Sequence, residues 1–574
     1  MDKLITASLL AISATLISAV LYPASTHRNT GPNLAGRSQG RSMVITKEGI
    51  VASEQPLASQ AGAQILARGG SAADAAIAAN AVVGVIEPMM NGMGGDLFVM
   101  DWDAKTGRLA GLNSSGWAPE KLTPALLREK GFKEMPGLGI YTVTVPGVVR
   151  GWWALHEKFG KLPWAELFQP AIYLAKTGFP LAEWDAAYWH ALKPKLESNA
   201  NARQVYLING ESPAVGEVFR NPEYAQALTL VAEKGPEAFY AGPIAKAILE
   251  TSNSLGGVLE PEDLRDYKPQ WVQPISTTYR GWTVYEMPPN SQGMAALEML
   301  NIMDLFPLGD YGFDSAQSFH IKIEAQKLAY TDLRRYVGDP RFAKIPVSGI
   351  ISKKYAAERA ALINMDHANC QAEPGNPFKY ETDTMYLATV DRDGNVVSLI
   401  QSLYSGFGSG VVVDRYGFAL QNRGALFVLD PESPDVLAPH KRPFHTIIPA
   451  FMQKGDLHIG FGIMGGLNQA QAHAQFVSDI ADDGMNLQQA LEAPRFTKMD
   501  FSGCDVMIED RAPVAVRQEL TAKGHKLELL GDFASAVGGG QAVMRDSATG
   551  VNYGASDPRK DGAAIPEPGP YFKK

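Results

Sequence analysis

The sequence predicts a layered α/β protein in which helices dominate the first part and strands the second. Polar helical segments run from 119 to about 360, whereas the stretch after 376 alternates β-branched and aromatic residues around glycine-containing turns. Strands followed by helices within one unit favour layered α/β structure over a doubly wound parallel sheet. The 45% hydrophobic and 20% charged fractions are those of an ordinary globular protein.

The first folded elements predict a helix pair that leads into a strand. Residues 56–68 have a helical pattern, and Ser71 with Asp74 is a capping signature for an alanine-rich helix that runs to about Val85. The M-G-G-D turn at 93–96 ends this pair. Strands are predicted after it over residues 97–101, 141–145 and 282–287.

The second part of the chain opens with a predicted β-hairpin. Residues 384–390 and 396–403 alternate β-branched and aromatic side chains on either side of the turn at 391–395. A helix is predicted from about Asn468 to Asp482. Further strands are predicted over residues 410–413, 418–420, 446–452 and 457–461.

The N-terminal segment is typical of exported proteins. Lys3 is followed by an apolar run over residues 4–22 and a polar stretch to Gly40. This pattern indicates a secretory signal, and the run is also long enough for an uncleaved anchor. We therefore expect residues 1–40 to be a signal peptide or N-terminal anchor plus linker. The protein would be periplasmic or extracellular, either soluble or tethered once to the membrane.

Composition and motifs exclude several functional classes. The 52 basic and 61 acidic residues give a net charge of −9, which argues against a general nucleic-acid binder. Cys370 and Cys504 allow at most one disulfide and cannot form a cysteine-based zinc site. The sequence has no P-loop, no H-E-x-x-H and no G-x-S-x-G motif. We predict that the protein uses neither a metal nor another cofactor. Its expected ligand is a small-molecule substrate.

Thr384 opens a strand directly after a polar, loop-like segment, 376–383. A cut between Asp383 and Thr384 would give this threonine a free α-amine beside its own hydroxyl. Such an amine has an unperturbed pKa of about 7.7–8.0 and can act as a general base without a histidine. The alternative is that Thr384 is merely a β-branched strand residue.

Many ordered motifs carry a resemblance to a known family. They are S-A-A-D-A-A-I-A, M-G-G-D, V-P-G-V-V-R-G-W-W, F-G-K-L-P-W, M-P-P-N-S-Q-G, E-A-Q-K-L-A-Y-T-D, D-T-M-Y-L-A-T-V-D-R-D-G-N-V-V-S, K-R-P, G-I-M-G-G and A-S-D-P-R-K-D-G. From about 50 to 561 the chain resembles the γ-glutamyltransferase family of N-terminal-nucleophile hydrolases. The resemblance implies a four-layer αββα sandwich formed jointly by two chains of one precursor.

The resemblance also implies specific roles. Autocleavage before Thr384 would give a large chain, 41–383, that stays associated with a small chain, 384–574, whose Thr384 is the nucleophile. The amides of Gly465 and Gly466 would form the oxyanion hole. Ser402 falls where the family has a hydroxyl that bonds the nucleophile's amine; the alternative is a strand residue facing solvent. Assembly beyond the two-chain unit stays open.

The residues that bind glutamate in the family are mostly replaced. Ser115 stands where an arginine would bind the α-carboxylate, and Leu426 where an acidic residue would hold the α-amine. His445 and Thr446 replace paired serines after K-R-P, and Tyr404 replaces an asparagine. Serine cannot replace the bidentate contact of arginine.

Arg423 and His445 are the candidate substitutes for substrate binding. Arg423 could hold a substrate carboxylate in another orientation or form an ordinary salt bridge, and His445 could contact substrate or be a satisfied structural residue. These features resemble a divergent branch with glutathione hydrolase-like proteins, cephalosporin acylases and an oxamate amidohydrolase. The segment between Phe427 and Lys441 is short for the family's lid loop, and we expect an open site.

Three functional hypotheses follow. The first is a self-processed threonine hydrolase that cleaves γ-glutamyl amides such as glutathione, with hydrolysis favoured over transfer. The second is the same machinery acting on another carboxylate-bearing amide of the glutaryl, cephalosporin side-chain or oxamate type. The third is a processed but inactive binding protein, against which the retention of Thr384, Ser402, Gly465 and Gly466 speaks.

Overall fold

The structure is a computed structural model that describes residues 39–371, 383–499 and 503–571. Almost all of the predicted signal or anchor segment, up to residue 38, lies outside the described residues. Among the described helices, none combines the length and the apolar character needed to cross a bilayer.

Helices form most of the chain between residues 119 and 361 and the two outer layers of the fold. They are α1 (Pro56–Ala67), α2 (Ala72–Ile86), α3 (Pro124–Glu129), α4 (Val148–Phe159), α5 (Trp164–Leu167), α6 (Gln169–Thr177), α7 (Glu183–Ala191), α8 (Lys193–Glu197), α9 (Ala200–Tyr206), α10 (Pro222–Lys234), α11 (Glu237–Tyr240), α12 (Pro243–Ser254), α13 (Pro261–Arg265), α14 (Gly293–Met303), α15 (Leu308–Tyr311), α16 (Ala316–Tyr336), α17 (Val347–Ile350), α18 (Lys353–Ala360), α19 (Asn468–Ala481), α20 (Leu487–Glu492) and α21 (Val514–Ala522).

Strands form two large sheets and two small ones. They are β1 (Val44–Thr46), β2 (Ile50–Ser53), β3 (Asp96–Asp103), β4 (Arg108–Ser114), β5 (Phe179–Pro180), β6 (Val218–Phe219), β7 (Gln270–Val272), β8 (Ile275–Tyr279), β9 (Trp282–Glu286), β10 (Asp383–Val390), β11 (Val396–Tyr404), β12 (Ala450–Lys454), β13 (Leu457–Ile463), β14 (Phe496–Thr497), β15 (Asp505–Ile508), β16 (Lys526–Leu529), β17 (Gly540–Asp546), β18 (Val551–Ser556) and β19 (Ala563–Pro566).

The two seven-stranded sheets face each other. The β10 sheet has the order β19-β2-β10-β11-β3-β4-β7, and the β13 sheet the order β1-β18-β17-β13-β12-β9-β8. Helices α1 and α2 pack against the outer face of the β10 sheet, whereas α14 and α19 cover the β13 sheet. The predicted four-layer sandwich is confirmed.

Strand β10 shows how the sequence pattern builds these layers. Met385 and Leu387 belong to the core shared with α1 and α2, whereas Tyr386 and Ala388 belong to the core between the sheets. Both faces of the strand are therefore buried, as its nearly continuous apolar composition requires.

The helix pair α1–α2 is confirmed, together with its predicted cap. The Ser71 side chain accepts a hydrogen bond from the Asp74 amide, and the Asp74 carboxylate accepts one from the Ser71 amide. Two unpaired donors of the helix start are thereby satisfied reciprocally. Every residue of α2 is buried, which explains its alanine-rich composition.

Four strand predictions fail in whole or in part. Residues 141–145 contain a 3₁₀ turn at Ile140–Thr142. Residues 410–413 and 418–420 share only the isolated bridge between Val412 and Ala419. The strand predicted over 446–452 begins at Ala450, because the Ile448 amide bonds the Gln469 side chain instead of a neighbouring strand.

Cys370 and Cys504 form the one disulfide that the sequence allows. Their Cα atoms are 4.9 Å apart, and the two cysteines lie 134 residues apart in the chain. The bond joins a segment before Thr384 to a segment after it.

Candidate active site

Thr384 lies at an irregular point of β10, in the centre of its sheet. The antiparallel register with β11 shifts between Asp383, which pairs with Tyr404, and Met385, which pairs with Gln401. On the other edge, β2 pairs with β10 only from Leu387 onward. A register shift of this kind re-aims a side chain locally, and here it falls on the predicted nucleophile.

The Thr384 hydroxyl is buried between two polar side chains. It donates to Ser402 Oγ at 3.4 Å, and Gln469 Nε2 donates to Thr384 Oγ1 at the same distance. Ser402 Oγ also accepts the Tyr404 amide at 2.7 Å. Ser402 is fully buried, so the solvent-facing alternative is wrong. The hydroxyl pair is held where it could orient the nucleophile.

Gly465 and Gly466 form the loop between β13 and α19. Their φ angles are +115° and +57°, which favour glycine over residues with a side chain. Gln292 Nε2 donates to the Gly466 carbonyl at 2.7 Å and also bonds the Thr446 carbonyl, which ties this loop to the 445–446 segment. Within the described chain neither glycine amide donates a hydrogen bond.

Arg423 is fully buried beside Tyr404 and Thr446. Its Nη1 donates to Thr446 Oγ1 at 2.8 Å, and its guanidinium carbon lies 4.5 Å from the centre of the Tyr404 ring. Arg423 Nε lies 3.7 Å from Asp96 Oδ2. Among the described residues, Nε and Nη2 have no hydrogen-bond partner. Burial lowers the pKa of Arg423 to about 10, which leaves the group charged at neutral pH.

His445 has the contacts of a satisfied structural residue. Its Nε2 lies 3.1 Å from Asp96 Oδ2, and its Nδ1 accepts the Ile447 amide at 3.4 Å. Burial and the nearby Arg423 charge lower the pKa of His445 to about 4. At neutral pH the imidazole is therefore neutral, and it donates to Asp96 through Nε2.

The remaining predicted residues line the same buried region. Ser115 Oγ donates to Asn113 Oδ1 at 2.7 Å and accepts from Asn290 Nδ2 at 3.3 Å. Leu426, at the position of the family's acidic residue, is buried in the core between the sheets. All predicted site residues for which side-chain positions are described thus converge; for Asp383 only the backbone is described.

Asp96 and Gln469 are functional candidates that the sequence analysis missed. Asp96 accepts the Gly116 amide at 2.7 Å and faces both Arg423 and His445. The Ile448 amide donates a hydrogen bond to Gln469 Oε1 and so holds the Gln469 side chain in place. Asp96 belongs to the M-G-G-D motif, but that motif by itself indicates only a turn. No sequence motif points to a functional role of Gln469.

The expectation of an open site is not met in the uncleaved chain. Thr384, Ser402, Arg423, His445 and Thr446 each have 0% of their surface exposed. The chain is continuous through Asp383 and Thr384, and the strand that contains them is paired on both sides of the shift. The Thr384 hydroxyl thus has no exposed surface in the continuous chain.

One group of potential metal ligands occurs among the described residues, away from Thr384. It consists of His320, Glu324 and His525, all buried. His320 Nδ1 and His525 Nε2 form a hydrogen bond of 2.8 Å. Lys327 Nζ donates a hydrogen bond to Glu324 Oε1 at 2.7 Å. Since the ammonium already neutralises the carboxylate, we assign this group a structural role.

Comparison with known proteins connects this geometry to a family. The family model described as Gamma-glutamyltranspeptidase matches residues 58–567. The glutathione hydrolase-like YwrD proenzyme of Bacillus subtilis (strain 168) is 36% identical, over 92% of this chain and 99% of its own. The glutathione hydrolase proenzyme of the same strain is 33% identical, over 91% of this chain and 92% of its own.

A solved structure extends the similarity to the fold. The crystal structure of cephalosporin acylase from Bacillus halodurans is 42% identical with a TM-score of 0.86, and the match covers 96% of this chain and 99% of that one. These relatives are named as hydrolases and an acylase, and their matches span nearly the whole chain. The chain is therefore an enzyme that belongs to the gamma-glutamyltranspeptidase family.

Proposed function

We propose that this protein is a self-processing threonine hydrolase that opens amide bonds through an acyl-enzyme ester on Thr384. The observation that carries the proposal is the Thr384 hydroxyl, held by Ser402 and Gln469 at the start of β10. The relatives named proenzymes support a processed chain. The retention of Thr384, Ser402, Gly465 and Gly466 speaks against a binding protein without activity.

Processing and catalysis use the same hydroxyl. Thr384 Oγ1 attacks the carbonyl carbon of Asp383, the peptide nitrogen of Thr384 leaves as its new α-amine, and water hydrolyses the resulting ester. The free amine then takes the hydroxyl proton when Thr384 attacks a substrate amide. The Gly465 and Gly466 amides stabilise the tetrahedral oxyanion in the substrate reaction, and water releases the acyl group.

The first candidate substrate class is γ-glutamyl amides such as glutathione and its conjugates. The relatives named glutathione hydrolase support this class. Ser115 and Leu426 provide no charged group for an amino-acid substrate. A γ-glutamyl group would therefore need other contacts here, and for this class we propose hydrolysis in preference to transfer to amino acids or peptides.

The second candidate class is amides of other acyl groups that end in a carboxylate, such as glutaryl amides. Arg423 favours it, because a buried guanidinium whose Nε and Nη2 lack a hydrogen-bond partner among the described residues fits a carboxylate better than an α-amine. The cephalosporin acylase neighbour supports the same class.

The test compares wild type, Thr384→Ala and Thr384→Ser on denaturing gels and on an anilide panel. Wild type should run as two chains, and the alanine variant as one inactive chain. The serine variant keeps a hydroxyl and should be cut, though more slowly. Normal cleavage of the alanine variant at this bond would contradict the mechanism.

The panel of γ-glutamyl, glutaryl and oxamic anilides, assayed on processed enzyme, separates the two substrate classes. A larger kcat/KM on the γ-glutamyl amide supports the first class, and a larger value on the glutaryl or oxamic amide the second. Equal turnover of an acetyl anilide would show that the carboxylate is not recognised.

A further inference from the structure

The disulfide between Cys370 and Cys504 spans the bond that is cut in the proposed maturation. Cys370 precedes Thr384 and Cys504 follows it. We propose that in the mature enzyme this bond is an interchain disulfide, which fixes the end of the large chain covalently to the small chain. The inference rests on the proposed cleavage before Thr384.

Helix α16 of the large chain holds the backbone next to Cys370. Lys327 Nζ donates to the Asn369 carbonyl at 3.1 Å, and the Asn369 amide donates to Glu324 Oε2 at 3.1 Å. Glu324 and Lys327 are buried and form an ion pair with each other. Both backbone groups of the residue before Cys370 are thus bound by one buried pair.

The small chain holds the same segment from the other side. The Ala368 amide donates to the Lys523 carbonyl at 2.7 Å, and Lys523 Nζ donates to the Met365 carbonyl at 2.7 Å. His525, two residues after Lys523, forms a hydrogen bond with His320. The Nε2 atom of His320 in turn lies 2.8 Å from the Asn364 carbonyl oxygen. Non-covalent contacts between the future chains therefore position Cys370 opposite Cys504.

The two cysteine residues differ in exposure. Cys504 is buried, and its sulfur lies 3.7 Å from Lys327 Nζ, whereas Cys370 is exposed. The sequence has no third cysteine, so no other intramolecular pairing can form.

The disulfide changes how the mature enzyme unfolds. Without it, unfolding after cleavage releases two separate chains, and the unfolding temperature then depends on protein concentration. With it, both chains stay one molecule and unfolding is unimolecular. We expect a midpoint that is independent of concentration for the oxidised enzyme and one that rises with concentration for Cys370→Ser.

The experiment compares denaturing gels of purified protein with and without dithiothreitol, after free thiols have been blocked with N-ethylmaleimide. Wild type should give one band at full-length mass without reductant and two smaller bands with it. Cys370→Ser and Cys504→Ser should give two bands in both lanes. Uncleaved Thr384→Ala should give one band in both.

Each outcome of the wild-type lanes decides a different point. Two small bands in both lanes, from an enzyme that is cut, would overturn the interchain disulfide and leave the cleavage intact. One full-length band in both lanes would overturn the cleavage, and the inference with it. A band at twice the full-length mass without reductant would show pairing between molecules and would also overturn the inference. The wild-type comparison needs no variant to fold.

Discussion

Arg423 is the residue whose substitution tests substrate recognition most directly. A carboxylate that accepts hydrogen bonds from Nε and Nη2, which have no such partner among the described residues, contributes a charge-assisted interaction of about 1.5–3 kcal/mol. We predict that Arg423→Gln lowers kcat/KM for a glutaryl anilide on the order of 100-fold. Arg423→Lys should recover only part of it, since lysine lacks the planar fork.

An uncharged butyryl anilide is the control substrate for this prediction. Its turnover by Arg423→Gln should stay within about threefold of wild type, because the control substrate has no carboxylate to lose. Equal losses on both substrates would indicate that Arg423 supports the fold through Asp96 and Thr446, and would contradict a role in recognition.

The sequence predicted the residues of the site better than their contacts. Thr384 stands out in the sequence as the start of a strand after a polar segment, whereas the roles of Gly465 and Gly466 are what the family resemblance implies. The role of Asp96 could not be predicted, because its partner His445 lies 349 residues away in the chain. Side-chain contacts over such separations are set by the packing of the sheets, which no local pattern encodes.

Strands β10 and β13 face each other across the sandwich, and Gly462 sets how closely they approach. A Cβ at Gly462 would lie 2.4 Å from Cδ2 of the buried Tyr386 ring. We predict that Gly462→Ala lowers the free energy of unfolding by about 1–3 kcal/mol, measured by denaturant titration. Activity should fall as well, because β13 leads into the Gly465–Gly466 loop.

Two variants check that this effect comes from the contact between the strands. Gly349→Ala, in α17 with no heavy atom within 4 Å of its Cβ, should change stability by less than about 0.5 kcal/mol. Gly462→Ala combined with Tyr386→Leu should be less destabilised than the sum of the two single changes. Simple additivity would contradict the proposed clash.

Element boundaries illustrate where prediction failed at this scale. The segment 446–449 has a strand-like composition, yet its backbone bonds the side chains of Gln292 and Gln469. The segment between the predicted and observed starts of β12 is thus part of the site. Residues 384–390 form a strand as predicted, because both faces of that strand are covered by apolar layers.

Asp185 is a buried acidic residue that makes the stability of the whole molecule depend on pH. Asp185 in α7 lies near Asp561, whose carboxylate accepts the Trp184 amide at 2.9 Å. Burial, together with the Asp561 charge, raises the pKa of Asp185 to about 7, despite the opposing Lys560. Glu87 is buried beside it, and its pKa is also raised.

The sign of the pH effect follows from linkage. In the unfolded chain Asp185 ionises near pH 3.9, so between about pH 4 and 7 the folded state retains a proton that the unfolded state loses. The free energy of unfolding therefore falls as the pH rises through this range. We predict that Asp185→Asn gains roughly 2–4 kcal/mol relative to wild type between pH 4 and 8.

The measurement is chemical denaturation of both proteins across this pH range. Asp310→Asn, at an exposed position, is the matched control, and its difference from wild type should change little with pH. An Asp185→Asn difference that stays constant from pH 4 to 8 would contradict the prediction.

The strand order of the β10 sheet also governs when the protein can fold. Strand β2, near the start of the chain, lies between β10 and β19, which both follow residue 382. At synthesis rates of about 5–20 residues per second, β2 waits roughly half a minute to two minutes for its last partner. During translation its edges and the apolar face that it shares with α1 have no native cover. The nascent chain therefore depends on being kept from aggregation until the final strand has been made.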